Sequence, residues 1–209
     1  FGSDPNAKVT KKSKSPLSFH PIALIFGLLS FVSYLVEGAV GDWSALYLFE
    51  DKGILIEEAV MGVMLFNGTM CIGRLLGNRL GKHLTSKQVV VGGYLLGSIA
   101  MGLIVFLPGH ASMYTYLLLG ISLAMIVPNL FSAMGEQNVI PMTQAVATST
   151  MLGYMGILMG PALIGFIAHG TSLTVAFIVL TILLVVSAGI GKYAYHLMSK
   201  DCGLSEEQI

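Results

Sequence analysis

Glu37, Asp42 and Arg74 are the charged residues that fall inside, or at the margin of, long apolar runs of this sequence. A charge at the centre of a lipid-spanning helix costs roughly 2.5–3.5 kcal/mol on insertion scales, so residues of this kind ask for a chemical reason. A carboxylate in an apolar cavity has its pKa raised toward neutrality, and taking up a proton there removes its charge before a conformational change. Glu37 and Asp42 are therefore candidate groups of a proton or solute pathway; the alternative for each is an acid solvated at a helix end. Their spacing of five residues sets them about 140° apart on a regular helix, so they need not share a face. Gly38 and Gly41, beside them, can break the helix there. Arg74 can snorkel to the membrane interface or pair with Glu136. Asn67 and Asn129 are amides within apolar runs and need hydrogen-bonding partners, from a solute or from a neighbouring helix. Pro128, just before Asn129, frees a carbonyl and points to irregular backbone. Tyr34, Trp43, Tyr47, Phe131 and Tyr154 can line an apolar cavity or stack on a sugar ring, and Trp43 and Tyr47 fit an interfacial aromatic belt equally well. No nucleophile–base–acid set, phosphate loop or metal cluster is present, and Cys71 and Cys202 stand far apart. The sequence thus predicts neither an enzyme nor a bound cofactor or metal.

The elements that must position these residues follow from composition. Of 209 residues, 55% are hydrophobic and only 11% charged, and the mean hydropathy is +0.80. A water-covered domain carries roughly 25% charged residues. The chain therefore belongs to the membrane class, and its zero formal net charge gives a nucleic-acid partner no electrostatic support. A helix needs about 20 apolar residues to cross the hydrocarbon core. Six runs satisfy or nearly satisfy this: residues 17–49, 59–80, 88–107, 112–134, 139–168 and 172–190, separated by EDKG, GKHLTSK, PGH, GEQN and HGTS. The expected fold is an all-α bundle of six transmembrane helices over residues 17–198. Residues 1–16 read as a flexible cytoplasmic linker and residues 199–209 as a cytoplasmic tail. With six crossings, Lys8, Lys11, Lys12, Lys14, Arg79, Lys82, Lys87, Lys192 and Lys200 share one side, and only Lys52 faces the other. That asymmetry predicts cytoplasmic termini and an integral protein of a bacterial inner membrane. Lys8 to Lys14 lead into a full-length span rather than a short cleavable one, and a start at Phe1 predicts a fragment or a processed product.

The stretch GYMGILMGPALIGFIAHG, residues 153–170, carries helix-weakening residues in an apolar run without a fixed charge. In lipid, apolar side chains gain little by meeting each other, so helices associate through close backbone approach. Gly156 and Gly160 form GxxxG, and Ala145, Ser149 and Gly153 continue the small-residue stripe at a spacing of four. With Pro161 and Gly165, this predicts a fifth span packed backbone-to-backbone on a neighbour, either as static packing or as a gating helix that slides or bends.

Three stretches together resemble the C-terminal half of a major facilitator superfamily transporter. GRLLGNRLGKH, residues 73–83, resembles the superfamily's signature cytoplasmic loop: Arg79, Gly81 and Lys82 match, Asn78 stands where an acid is usual, and Arg74 occupies the place of the leading glycine, with Gly73 one position early. GYMGILMGPALIG resembles the Gly-Gly-Pro helix near the end of many members, and its GxxxGPxxxG core is similar to the antiporter motif of the pseudo-equivalent helix in the other half. EGAVGDWSALYL, residues 37–48, and IVPNLFSAMGEQ, residues 126–137, look like the seventh and tenth helices of a bacterial, fucose-permease-like branch. The resemblance implies half of a twelve-helix fold built as a 3+3 inverted repeat, completed by an N-terminal six-helix half of the same transporter. It further implies alternating access for a small organic solute, with proton coupling, and a cytoplasmic gate built from Arg74, Arg79, Gly81, Lys82 and Glu136. A multidrug-type exporter and a six-helix scaffold or sensor without a solute pathway are the alternatives. A transporter brings Glu37, Asp42, Arg74 and Asn129 toward one polar groove; a scaffold leaves them scattered.

Overall fold

The computed structural model describes residues 20–80, 84–137 and 139–202, with the backbone alone for residues 78–80 and 201–202. All the regular elements among them are helices: α1 (Pro21–Glu50), α2 (Ile56–Leu80), α3 (Ser86–Phe106), α4 (Gly109–Ala124), α5 (Ile126–Glu136), α6 (Met142–Gly170) and α7 (Leu173–Cys202). The protein is an integral membrane bundle, with six apolar spans long enough to cross a bilayer. The fourth span, Gly109–Glu136, comprises both α4 and α5.

Local sequence explains where each helix starts. Pro21 occupies the first turn of α1, where its missing N–H costs nothing, and His20 accepts from the amide of Ile22. α2 begins at Ile56, three residues before the apolar run, because Glu57 and Glu58 favour a helix N-terminus. At α3, Thr85 accepts from the Gln88 amide while the Gln88 side chain accepts from the Thr85 amide, a reciprocal capping box. The fourth span is interrupted at Met125, three residues before Pro128. The proline ring cannot donate to the carbonyl four residues back, so the helix resets there. Two expectations differ from what is observed. α1 runs unbroken through Gly38 and Gly41. α7 continues to Cys202, past residue 198.

α1 is the centre of the bundle. It packs most extensively on α6 and also meets α2, α4, α5 and α7, whereas α2 and α6 make no contact with each other. α2 and α6 therefore flank α1 on two sides, and a strip of α1 between them stays open: Tyr34, Glu37, Gly41 and Ala45 are half-buried or exposed at helical spacing. The α1–α6 contact is made by backbone. A Cβ on Gly156 would collide with the carbonyl of Phe31, and one on Gly160 would lie 2.5 Å from the carbonyl of Leu35. In the reverse direction, a Cβ on Gly38 would lie 2.8 Å from the carbonyl of Ile157, the one that Pro161 leaves without its helical donor.

The far end of the bundle is tied by polar contacts. The Lys52 ammonium donates to the carbonyls of Val105 (2.6 Å) and Leu107 (2.9 Å) at the end of α3 and lies 5.3 Å from the centre of the Tyr47 ring. It thereby satisfies carbonyls that a helix C-terminus leaves open. Burial holds its pKa below the usual lysine range, with Asp51 acting in the opposite sense. Asp51 accepts from the Thr174 hydroxyl at 2.8 Å, tying the start of α7 to the same corner.

The close approach at Gly156 sets a testable contrast. Gly156→Ala is expected to destabilise the bundle by about 2 kcal/mol, as overpacking against an unyielding backbone. Gly189→Ala, where a Cβ meets nothing within 4 Å, is expected to be neutral or to stabilise by up to about 1 kcal/mol. Thermal melts of the two variants in detergent decide this; equal melting points would contradict the packing described.

Candidate functional site

On the open strip of α1, Glu37 meets Arg74 of α2. One guanidinium nitrogen donates to the Glu37 carboxylate at 3.2 Å, with side-chain exposures of 43% for Arg74 and 22% for Glu37. The pairing follows from helix geometry. Glu37 lies thirteen residues before the end of α1 and Arg74 eighteen residues after the start of the antiparallel α2, the two ends that the short loop joins, so on straight rods their levels differ by about 7–8 Å. Helical side chains lean toward their own N-terminus. Arg74 therefore leans away from the end where α2 stops, Glu37 leans toward it, and the two meet inside the span.

One turn before Glu37, Tyr34 stacks on Tyr154 of α6, with ring centres 6.1 Å apart and planes 7° from parallel. The Tyr34 ring rests on Gly153, where a Cβ would lie 2.7 Å from it. Further along α1, the Trp43 indole N–H donates to the carbonyl of Pro161 at 2.9 Å, and its ring covers Gly165. The open strip thus carries an acid–base pair on its α2 side and exposed aromatic surface on its α6 side. Such a face can stack a ring and hydrogen-bond a polar solute.

The other expected site residues are distributed as follows. Asp42 is exposed on α1, and among the described residues no hydrogen bond or ion pair joins it to Glu37 or Arg74. Asn67 is exposed on α2 and donates within its own helix, to Val63 at 2.9 Å. Asn129 is half-buried on α5 and donates to the Met125 carbonyl at 2.8 Å, so its amide serves the break in the fourth span. Glu136 is exposed at the end of α5. The expected Arg74–Glu136 contact is corrected: Arg74 reaches Glu37 instead, because it leans away from the end at which Glu136 sits. The Arg79 side chain, Gly81 and Lys82 lie outside the described residues. Gly153, Gly156, Gly160, Pro161 and Gly165 all lie along the α1–α6 contact. Sequence reasoning did not single out the Glu37–Arg74 pair. The available signal was that ionisable groups within spans tend to pair with one another. Nor did it foresee Lys52, whose role depends on a helix end distant in sequence.

No family model matches the chain. Its curated relatives include an uncharacterized MFS-type transporter of Yersinia pestis, 41% identical over 168 residues that make up 79% of this chain and 43% of the relative. The membrane protein MosC of Rhizobium meliloti is 31% identical over 151 residues, 72% of this chain and 37% of the relative. The chain belongs to the major facilitator superfamily. It spans about two fifths of the length of these relatives. The fold is also that of the superfamily: a crystal structure of the E. coli fucose:proton symporter superposes with a TM-score of 0.72 over 83% of this chain and 42% of that one, at 16% identity.

Two experiments test the geometry. A double-mutant cycle of Glu37→Gln and Arg74→Gln, read by thermal melts, is expected to give a favourable coupling of about 1 kcal/mol, small because both groups are partly exposed. Trp43→Phe keeps a ring over Gly165 but loses the bond to Pro161, with an expected loss of about 1 kcal/mol in the same assay.

Proposed function

We propose that the chain is the C-terminal six-helix half of a secondary active transporter that moves a small organic solute by alternating access, with Glu37 as its proton-coupling acid. The observation that carries this reading is the Glu37–Arg74 pair on a strip of α1 that α2 and α6 flank but do not cover. A static scaffold gains little from a half-exposed ion pair within its spans, since exposed pairs contribute only about 0–1 kcal/mol and intramembrane charges are costly. A transporter uses the same pair as a switch. Ionised Glu37 neutralises Arg74; protonated Glu37 releases the guanidinium to a solute or to groups of the N-terminal half. The aromatic surface of Tyr34 and Tyr154 beside the pair suits stacking on a ring. The partner half closes the strip into a cavity, and the two halves rock about it. The basic end of the bundle is its cytoplasmic side on this reading, in a bacterial inner membrane.

The test is uptake into proteoliposomes by the full-length protein with an imposed pH gradient, using fucose, the sugar named for the structural relative, together with other monosaccharides and organic acids. Gradient-driven accumulation is expected in the wild type. In Glu37→Gln, which mimics the protonated acid, accumulation is expected to collapse to equilibration while solute exchange across the membrane persists. Accumulation at the wild-type level in Glu37→Gln would remove Glu37 from coupling.

A further inference from the structure

The Asn67 side chain has capacity that its bond within α2 leaves unused. Its amide N–H donates to the Val63 carbonyl at 2.9 Å, a carbonyl that the helix already pairs through the backbone four residues on. The bond therefore adds little to the helix, but it fixes the amide: the nitrogen faces the backbone, and the Oδ1 acceptor is turned outward. Asn67 is exposed, and among the described residues nothing donates to that oxygen. An amide oxygen left unpaired in hydrocarbon is costly, so this face of α2 needs water or a polar partner. Arg74, seven residues on, shares the face of Asn67 to within about 20°. Its bond to Glu37 shows that this face turns toward the open strip of α1. Asn67 lies eleven residues after the start of α2. On straight rods its level therefore falls between those of Glu37 and Gly41, about 3 Å from each. Gly41 is exposed, and no heavy atom lies within 4 Å of where its Cβ would be.

We propose that Asn67 and Gly41 form the subsite that selects the solute, with a hydrogen-bond donor of the solute, a hydroxyl or an ammonium, held by the Asn67 Oδ1 over the space that Gly41 leaves open. This rests on the transport reading given above and adds to it the chemistry of the solute. The groups beside the niche accept rather than donate: Asn67 offers only its oxygen, and ionised Glu37 is acceptor-only. A solute that itself offers only acceptors is left unpaired there, which is how a buried polar site rejects the wrong ligand. Tyr34 lies on the same strip with Tyr154 stacked beside it, so a ring attached to the donor meets aromatic surface. A permanent bond from the N-terminal half to Asn67 would hold the amide equally well, but it would have no need of a bare glycine at the same level on α1.

The experiment uses the full-length protein in proteoliposomes and has two arms. In the first, exposed Cys71 is replaced by Ser, single cysteines are introduced, and labelling by a charged, membrane-impermeant thiosulfonate is followed by mass spectrometry of the modified peptide. Asn67→Cys and Gly41→Cys are expected to label at least about tenfold faster than Ile72→Cys, which lies about 140° round α2 from Asn67. In the second arm, uptake is measured for monosaccharides, amino sugars and succinate, which offers neither a hydroxyl nor an ammonium. Solutes with a donor are expected to move and succinate to be excluded. Asn67→Leu is expected to raise KM about 10-fold, the loss of one hydrogen bond, with kcat and melting temperature near wild type. Gly41→Leu, which fills open space, is expected to do the same. Asn67→Asp separates the two donors: it should lower KM for an amino sugar and leave a neutral sugar near its wild-type value. The proposal is overturned by slow labelling at both positions, by succinate moving as well as the sugars, by an unchanged KM in Asn67→Leu, or by a fall in its melting temperature without a change in KM, the mark of a bond to the N-terminal half. Wild-type accumulation in Glu37→Gln would remove Glu37 from coupling and leave this subsite standing; no movement of any solute would overturn both.

Discussion

The bundle depends on the approach of two backbones. α1 and α6 share the largest interface in the protein, and at Gly156 and Gly160 it has no room for a side chain. In water such an interface would be poor, because it buries few methyl groups. In lipid the ranking changes: hydrocarbon competes with any apolar side chain, and dispersion between closely approaching helices is what remains. The contact also fixes what surrounds it. Holding α6 this close brings Tyr154 onto Tyr34 and the Pro161 carbonyl within reach of Trp43. It also leaves the neighbouring strip of α1, with Glu37 on it, uncovered.

Pro161 shows how a weak point in one helix is absorbed by another. It removes the donor to the Ile157 carbonyl, and Gly38 of α1 lies against that carbonyl where any larger residue would be excluded. The Pro161 carbonyl is in turn capped by the Trp43 indole. The fourth span handles its proline differently. It breaks at Met125, and Asn129 donates its side-chain amide to the Met125 carbonyl. In both places a side chain within the protein donates to a carbonyl near the proline, Trp43 to Pro161 and Asn129 to Met125.

The sequence made the spans legible because hydropathy and turn residues act locally, and all six apolar runs correspond to membrane-length spans, the fourth built from two helices. The small-residue stripe was legible for the same reason, since its spacing of four is a property of one helix. Partners were harder to read. Arg74 was expected beside Glu136, yet its ion pair is with Glu37, thirty-seven positions away on α1. That choice depends on which helices adjoin and on the opposite lean of side chains in antiparallel rods, neither of which a single-chain pattern contains. The Asn67 and Asn129 amides were ambiguous between solute and structure, and their described bonds go to carbonyls four residues back in their own helices. Lys52 looked like a lone cation in an acidic loop; only the tertiary arrangement shows it holding the end of α3.

The Glu37–Arg74 contact also bears on how the bundle responds to membrane voltage. A transmembrane field does work on net charge, at about 2.3 kcal/mol per elementary charge per 100 mV. Two opposite charges 3.2 Å apart that travel together present almost none of it. Any rearrangement that carries the intact pair is therefore electrically silent, whereas neutralising the carboxylate alone leaves an unmatched guanidinium on which the potential can pull.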